Sequence, residues 1–213
     1  MVKLDIVSDP ICPWCFIGKS QLDRALEQRP EHPFIVEWHP FQLNPDMPPE
    51  GMERRAYLEA KFGGKEGAYA AYQPIVEHAK KAGVAIEFDR IGRTPNTLDA
   101  HRLIHWAGIE GRQTPVVAAL FRAYFQDGRD IGDTEVLADI ADSAGLDAGV
   151  ILRLLATDED RAGLLEKEKG FREMGIRSVP TFIVGGQHAV PGAQPTELWL
   201  RVIDEITASD AAE

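Results

Sequence analysis

Two cysteines are all that the 213 residues contain. A single pair cannot build the multi-bridge framework of a small secreted scaffold, so the fold must rest on its core. A chain of this length can bury such a core, as one large domain or two small ones. Long apolar runs are missing too, and none approaches the roughly 18 residues that a membrane span requires. Basic residues are outnumbered, 23 against 34 acidic, for a formal net charge of −11. That sign argues against a nucleic-acid partner, whose phosphates need cations. The excess is uneven: residues 127–213 carry 18 acidic and 8 basic side chains, which reads as a solubilising face. Met1–Val7 lacks the apolar stretch and cleavage site of a secretory signal, so the expected location is cytoplasmic, with no membrane partner.

What is present reads as an α/β globular chain. Hydrophobic residues make up 44% and charged residues 27%, ordinary values for a packed domain. Residues 2–7 alternate at period two, the pattern of a strand. A turn at Ser8-Asp9-Pro10-Ile11 leads into Cys12-Pro13-Trp14-Cys15. From Phe16, the apolar positions Ile17, Leu22, Ala25 and Leu26 keep helical spacing to about Pro30. Phe34–His39 predicts a second strand, after which Pro40, Pro45, Pro48 and Pro49 interrupt regular structure.

Helices are predicted near 51–62, 66–82, 95–108, 113–127, 133–144, 147–156 and 159–174. Thr94-Pro95 and Thr114-Pro115 each offer a capping hydroxyl before a first-turn proline. Asp133 and Asp147 offer carboxylate caps, with Gly145 as a stop between them. Residues 179–184 and 187–190 predict two strands joined by a Gly185-Gly186 turn. A last helix from about Pro195 to Ile206 and a frayed tail over 208–213 complete the chain. Strands at both ends with helices between them suggest a sheet domain, residues 1–45 and 165–213, interrupted by an all-helical insertion over 46–164.

Both cysteines fall in one C-x-x-C at a strand-to-helix junction. That spacing suits a reversible disulfide or half of a metal site. A structural zinc needs four ligands and there is no second C-x-x-C, so no metal is expected. With Cys12 near the N-cap and Pro13 at the first helical position, the unpaired N–H groups of the first turn can face the Cys12 sulfur. They and the helix dipole favour a thiolate, and with it the dithiol form over the disulfide. Cys15, one turn further in, is then the resolving thiol. Trp14 is placed either to touch substrate or to cover the disulfide. Cysteine is among the most buried residue types, so an inert core pair is the plainer alternative. The whole cysteine complement standing at this spacing argues against that.

These residues also carry a resemblance. Ser8-Asp9-Pro10-Ile11-Cys12-Pro13-Trp14-Cys15-Phe16-Ile17-Gly18 resembles the active-site segment of the DsbA-like proteins of the thioredoxin superfamily, closest to their FrnE-like branch. Pro40-Phe41-Gln42-Leu43-Asn44-Pro45 is similar to the segment after that family's second strand, and Asn96–Leu103 to a signature on an inserted helix. Val179-Pro180-Thr181-Phe182 resembles the loop bearing the cis-proline, and Gly192-Ala193-Gln194-Pro195 the segment opening the last helix. The matches run in order from residue 8 to 195; Ser178 departs from the glycine often found before Val-Pro.

The resemblance implies a thioredoxin-like fold with a helical insertion. It implies a thiol–disulfide oxidoreductase whose redox-active disulfide is Cys12–Cys15, with a cis Pro180 set against the thiols. Backbone groups of Val179 would hold an extended substrate segment by strand-like pairing. Pro13, Trp14, Asn96 and His101 are the further substrate-facing candidates. No bound cofactor is implied, with glutathione as an alternative co-substrate. Expected partners are a disulfide- or dithiol-bearing protein or a small-molecule thiol, and the default assembly is a homodimer.

Weaker signals accompany the main one. His101 and His105 stand at i, i+4, a spacing compatible with a metal, but Arg102-Leu103-Ile104 lacks the glutamate of a zinc-protease motif. Asn96 serves equally as a ligand group or a helix-start group. Tyr69, Tyr72, Phe121, Tyr124 and Phe125 are spaced as helix-packing aromatics. Two rival functions remain open. Kappa-class glutathione transferases and 2-hydroxychromene-2-carboxylate isomerases share the domain arrangement but place serine where Cys12 stands. A non-enzymatic docking protein would keep the C-x-x-C only as a relic.

Overall fold

The computed structural model describes residues 1–210. Strand β1 (Val2–Ser8), helix α1 (Pro13–Gln28) and strand β2 (Phe34–Pro40) make a β-α-β unit. Its strands are parallel, from Val2↔Phe34 to Ser8↔Pro40. A two-residue strand β3 (Met52–Glu53), helices α2 (Arg54–Phe62) and α3 (Lys65–Lys81), a 3₁₀ turn at Phe88–Arg90 and strand β4 (Arg93–Thr94) follow. Next come α4 (Leu98–Ile109), α5 (Gln113–Phe125), α6 (Thr134–Ser143), α7 (Ala148–Leu155) and α8 (Arg161–Glu173). The chain returns through β5 (Thr181–Val184) and β6 (His188–Pro191) and ends in α9 (Thr196–Asp210). β5 runs antiparallel to β1, so the main sheet has the order β2-β1-β5-β6. Among the described residues no helix is long and apolar enough to cross a membrane.

The sequence explains why β1 is central. Leu4, Ile6 and Val7 have no exposed surface, so both faces of the strand are covered. α1 packs beside α9, whose buried Trp199 meets Phe182 of β5 edge-on at 4.7 Å. Gly185 and Gly186 both take positive φ, 60° and 70°, as the two central positions of the tight hairpin demand. β2 lies at an edge, and α5 blunts it. Gln113 Oε1 accepts from the Trp38 backbone N–H at 2.8 Å, and Gln113 Nε2 donates to the Trp38 carbonyl at 3.0 Å.

That docking moves one predicted helix start. Thr114 was expected as a cap, but its hydroxyl accepts from the Trp38 indole at 3.0 Å, and α5 begins at Gln113 with Arg112 as its cap. Thr94 is likewise no cap: it pairs with Met52 in the β3–β4 ladder, and Thr97 takes the N-cap position of α4 without a capping hydrogen bond from its side chain. Asp133 and Asp147 do cap α6 and α7, and Gly145 ends α6 with φ 84°. β5 starts at Thr181 rather than 179, because Pro180 has no N–H to give a ladder. The tail expected over 208–213 is helical through Asp210, and residues 211–213 lie outside those described. Tyr69, expected to pack, is 73% exposed, whereas Phe121, Tyr124 and Phe125 are core.

Candidate active site

The chain leaves the C-terminal end of β1, turns at Asp9-Pro10-Ile11 and starts α1 with Cys12 as the N-cap. Pro13 in the first turn removes only an N–H that the helix could not have paired. The Cys12 carbonyl accepts from the N–H groups of Cys15 and Phe16 at 3.1 and 3.2 Å. Phe16 stacks on Phe121 and Phe125 at 5.3 and 5.6 Å, which fastens this helix head to α5. Both thiols are free and buried, Cys12 3% and Cys15 1% exposed.

No first-turn N–H bonds the Cys12 sulfur, contrary to the expectation from the sequence. The thiol instead donates to the Val179 carbonyl at 3.6 Å. The difference follows from the proton: a thiol is a donor and takes a carbonyl, whereas N–H groups call for a thiolate. The Val179-Pro180 bond is cis, as the resemblance implied. Gly18 lets Pro180 come close to α1, since a Cβ there would lie 3.1 Å from Pro180 Cγ and 3.4 Å from both Ala193 and Phe182. The family-like segments ending at Gly18, beginning at Val179 and beginning at Gly192 are therefore one packing unit. Burial pushes the Cys15 thiol well up, and the Cys12 sulfur beside it adds to the rise. The Ser8 hydroxyl and the Asp9 backbone act against it. Cys15 therefore holds its proton at neutral pH.

Asp9 has no exposed surface. Its carboxylate accepts from the N–H groups of Leu43 at 2.7 Å and Ile11 at 3.3 Å. His101 Nε2 faces it at 4.0 Å and has no hydrogen-bond partner among the described residues. Burial raises the Asp9 pKa to about 7 against the pull of those N–H groups, and lowers that of His101 to about 4. Asp9, Leu43 and His101 come from three different family-like segments, so this buried carboxyl is where those segments meet. In the sequence Asp9 is marked only by its place three residues before Cys12, which does not foretell a buried carboxyl.

The remaining expected site residues separate into two groups. Cys12, Pro13, Trp14 and Val179 line a cavity of about 310 Å³ together with Arg54, Tyr57, Lys61, Tyr72 and Arg177. Trp14 also meets His78 of α3 edge-on at 5.0 Å. Asn96 and His101 do not line it. Asn96 accepts from Leu98 N–H at 3.0 Å and donates to the Met47 carbonyl at 2.7 Å, bracing the start of α4. His105 turns toward Asp160 at 3.8 Å while His101 turns toward Asp9, so the two histidines share no ligand direction.

The rest of the Asn96–Leu103 signature is structural. Arg102, with no exposed surface, donates to the carbonyls of Leu154, Thr157 and Glu159 at 2.8–2.9 Å and ties α4 to the end of α7. Asp5, Glu37 and His39 form another charged cluster on β1 and β2, bridged by Lys3 at 2.9 and 2.7 Å. A larger groove of about 730 Å³ contains neither cysteine and shares only Arg54 and Tyr72 with the thiol cavity.

A β-α-β unit closed by an antiparallel hairpin, with C-x-x-C at the first helix and a cis-proline loop against it, defines a thioredoxin-like protein. The chain belongs to the DSBA-like thioredoxin domain family, whose model matches residues 3–204. It is 29% identical over 208 residues to YwbO of Bacillus subtilis, an uncharacterised protein, with 96% of each chain covered. It is similar to the crystal structure of a probable DsbA oxidoreductase from Streptomyces coelicolor. That match has 30% identity and a TM-score of 0.83, over 96% of this chain and 89% of that one. The cytosolic disulfide reductase DsbM of Pseudomonas aeruginosa, solved with GSH, has the same fold at 18% identity. Its TM-score is 0.68, over 97% of this chain and 99% of that one. The fold is thus that of the DsbA-like thiol–disulfide oxidoreductases.

Proposed function

We propose that this chain exchanges thiols and disulfides through Cys12 and Cys15. The observation that carries the reading is a pair of free thiols at the head of α1, one of them bonded to the carbonyl of the cis-proline loop. In the reducing direction, the Cys12 thiolate attacks a substrate S–S bond. A Cys12–substrate disulfide forms, and the first substrate thiolate leaves and takes up a proton. Cys15 then loses its proton and attacks the Cys12 sulfur, which expels the second substrate thiol and leaves the Cys12–Cys15 disulfide. Two electrons have passed from the dithiol to the substrate. The oxidising direction is the reverse, and the potential against the cellular thiol pool sets which one operates.

Each neighbour has a part. Pro13 leaves the head of the helix without an N–H at its first position, and the N–H groups behind it receive the Cys12 thiolate once the proton has gone. The Val179 carbonyl is released at that moment and becomes free to pair with the backbone of an extended substrate, beside Pro180. Trp14 covers one wall of the cavity. Raising the Cys15 pKa holds this thiol back until Cys12 has formed the mixed disulfide, which keeps the order of the two steps.

Cys15→Ser tests the order. This variant should accumulate a covalent adduct on Cys12 when mixed with a disulfide, seen as added mass that a reducing agent removes, while wild type should end as the internal disulfide. An adduct on neither protein, with Cys12 titrating as a free thiol, would overturn the reading.

A further inference from the structure

The thiol cavity is positively lined in a negatively charged protein. Arg54, Lys61 and Arg177 line it, and no aspartate or glutamate does so among the described residues. None of the three cations has a carboxylate within ion-pair distance among the described residues. Lys61 donates to neutral oxygens, Asn44 Oδ1 at 3.0 Å and Tyr57 Oη at 2.6 Å. Arg177 donates to the Arg172 carbonyl. The larger groove behind Arg54 is of mixed sign, since Glu53, Glu59, Glu87 and Asp89 line it beside Arg55 and Lys65.

Arg54 is the informative one. It is the first residue of α2 and only 7% exposed. Its backbone N–H is held by the Gly92 carbonyl at 3.0 Å, next to the β3–β4 ladder. The guanidinium lies over the rings of Tyr72 and Phe88 at 5.3 and 5.5 Å, and its Nη1 donates to Tyr124 Oη at 3.3 Å. Nη2 has no hydrogen-bond partner among the described residues. An arginine cannot shed its charge, and a buried cation without an anion is costly unless one arrives. Thr94 Oγ1, in a residue that lines the same cavity, is also buried without a partner among the described residues.

We infer that Arg54 receives a carboxylate of the substrate, and that the substrate is a low-molecular-weight disulfide or thiol bearing carboxylate groups, with Lys61 and Arg177 guiding its entry. The inference rests on the thiol–disulfide reading of Cys12 and Cys15. The cavity volume of about 310 Å³ fits a ligand that enters whole, at the lower end of small-molecule sites. The side chain that would bind it stands in the wall of that cavity, 7% exposed. Overall charge works the other way: at −11 the chain repels anions, so a preference for them must come from this cleft.

The test compares two disulfides of nearly equal size, 3,3′-dithiodipropionate and its diamide. Each is mixed with the reduced protein, and the rate constant for formation of the Cys12–Cys15 disulfide is divided by that for free 2-mercaptoethanol. The corrected rate for the diacid should exceed that for the diamide by about tenfold or more, the range of a hydrogen bond to a charged group. Arg54→Gln should collapse that ratio, and Arg54→Lys should restore part of it. The thioether 3,3′-thiodipropionate, which cannot exchange, provides a measure on wild type alone: calorimetry should show it binding more tightly than its diamide. Equal corrected rates with equal thioether affinities in wild type would overturn the inference, as would a ratio unchanged in folded Arg54→Gln. If neither disulfide oxidises the protein, the thiol–disulfide reading fails, while the thioether measurement still decides whether the cleft takes anions.

Discussion

Replacing Asp9 with asparagine should make the stability order of variant and wild type invert between acid and alkaline pH. Asp9 is wholly buried and its pKa stands at about 7 against an ordinary 3.8. A carboxyl that keeps its proton longer in the folded state favours folding fully below the unfolded pKa. That advantage is lost as pH rises through the folded one. The interval is roughly three pH units, at about 1.4 kcal/mol each, so about 4 kcal/mol is the upper bound of the stability lost between pH 4 and pH 8. Asparagine does not titrate and keeps one acceptor, but its amide cannot serve both Leu43 and Ile11, which costs about 1–2 kcal/mol. The variant should therefore be the less stable protein near pH 4, about level with wild type near pH 5, and the more stable one, by about 2–3 kcal/mol, near pH 8. Urea unfolding of both proteins across this range, with the thiols kept reduced, measures the difference. His101 is present in both, so its own titration cancels to first order. A stability difference that does not move between pH 5 and pH 8 would refute the reasoning, because it would mean that Asp9 carries the same charge throughout.

Other substitutions probe the supporting geometry. Gly18→Val should destabilise by about 1–3 kcal/mol, because its branched side chain meets Pro180, Phe182 and Ala193 in a packed interior; an unchanged urea midpoint would contradict that contact. Arg102→Met should cost about 3 kcal/mol by leaving the carbonyls of Leu154, Thr157 and Glu159 without their donor. It should leave the exchange rate per folded molecule unchanged, and a large loss of rate would show that the signature helix does more than brace. In Cys12→Ser, iodoacetamide should label Cys15 slowly at neutral pH and faster only in alkali, since burial holds that thiol protonated. Rapid neutral labelling would contradict this.

How much of this was legible in the sequence depended on range. Period-two and helical patterns located β1, α1 and α4–α8 because each is long enough to repeat its pattern. β3 and β4 have two residues each and no periodicity to read, so the ladder beside Arg54 was missed. Helix starts failed where a distant group claimed the capping residue, as the Trp38 indole claims Thr114. The cysteine pair was legible because spacing alone defines it. Asp9 and Arg54 were not, since burial of a charge is decided by segments far away in the chain, Leu43 and His101 for the one, Tyr72 and Tyr124 for the other. The Asn96–Leu103 string was visible as a resemblance, but that Asn96 and Arg102 are spent on bracing α4 only the fold could show.

The most direct test of the central claim is turnover of a disulfide substrate by wild type and by Cys12→Ser under the same reductant. If Cys12 and Cys15 carry the exchange, wild type should reduce the disulfide well above background and Cys12→Ser should fall to background. Equal rates in the two proteins would contradict the account, and would point instead to a thiol supplied by glutathione.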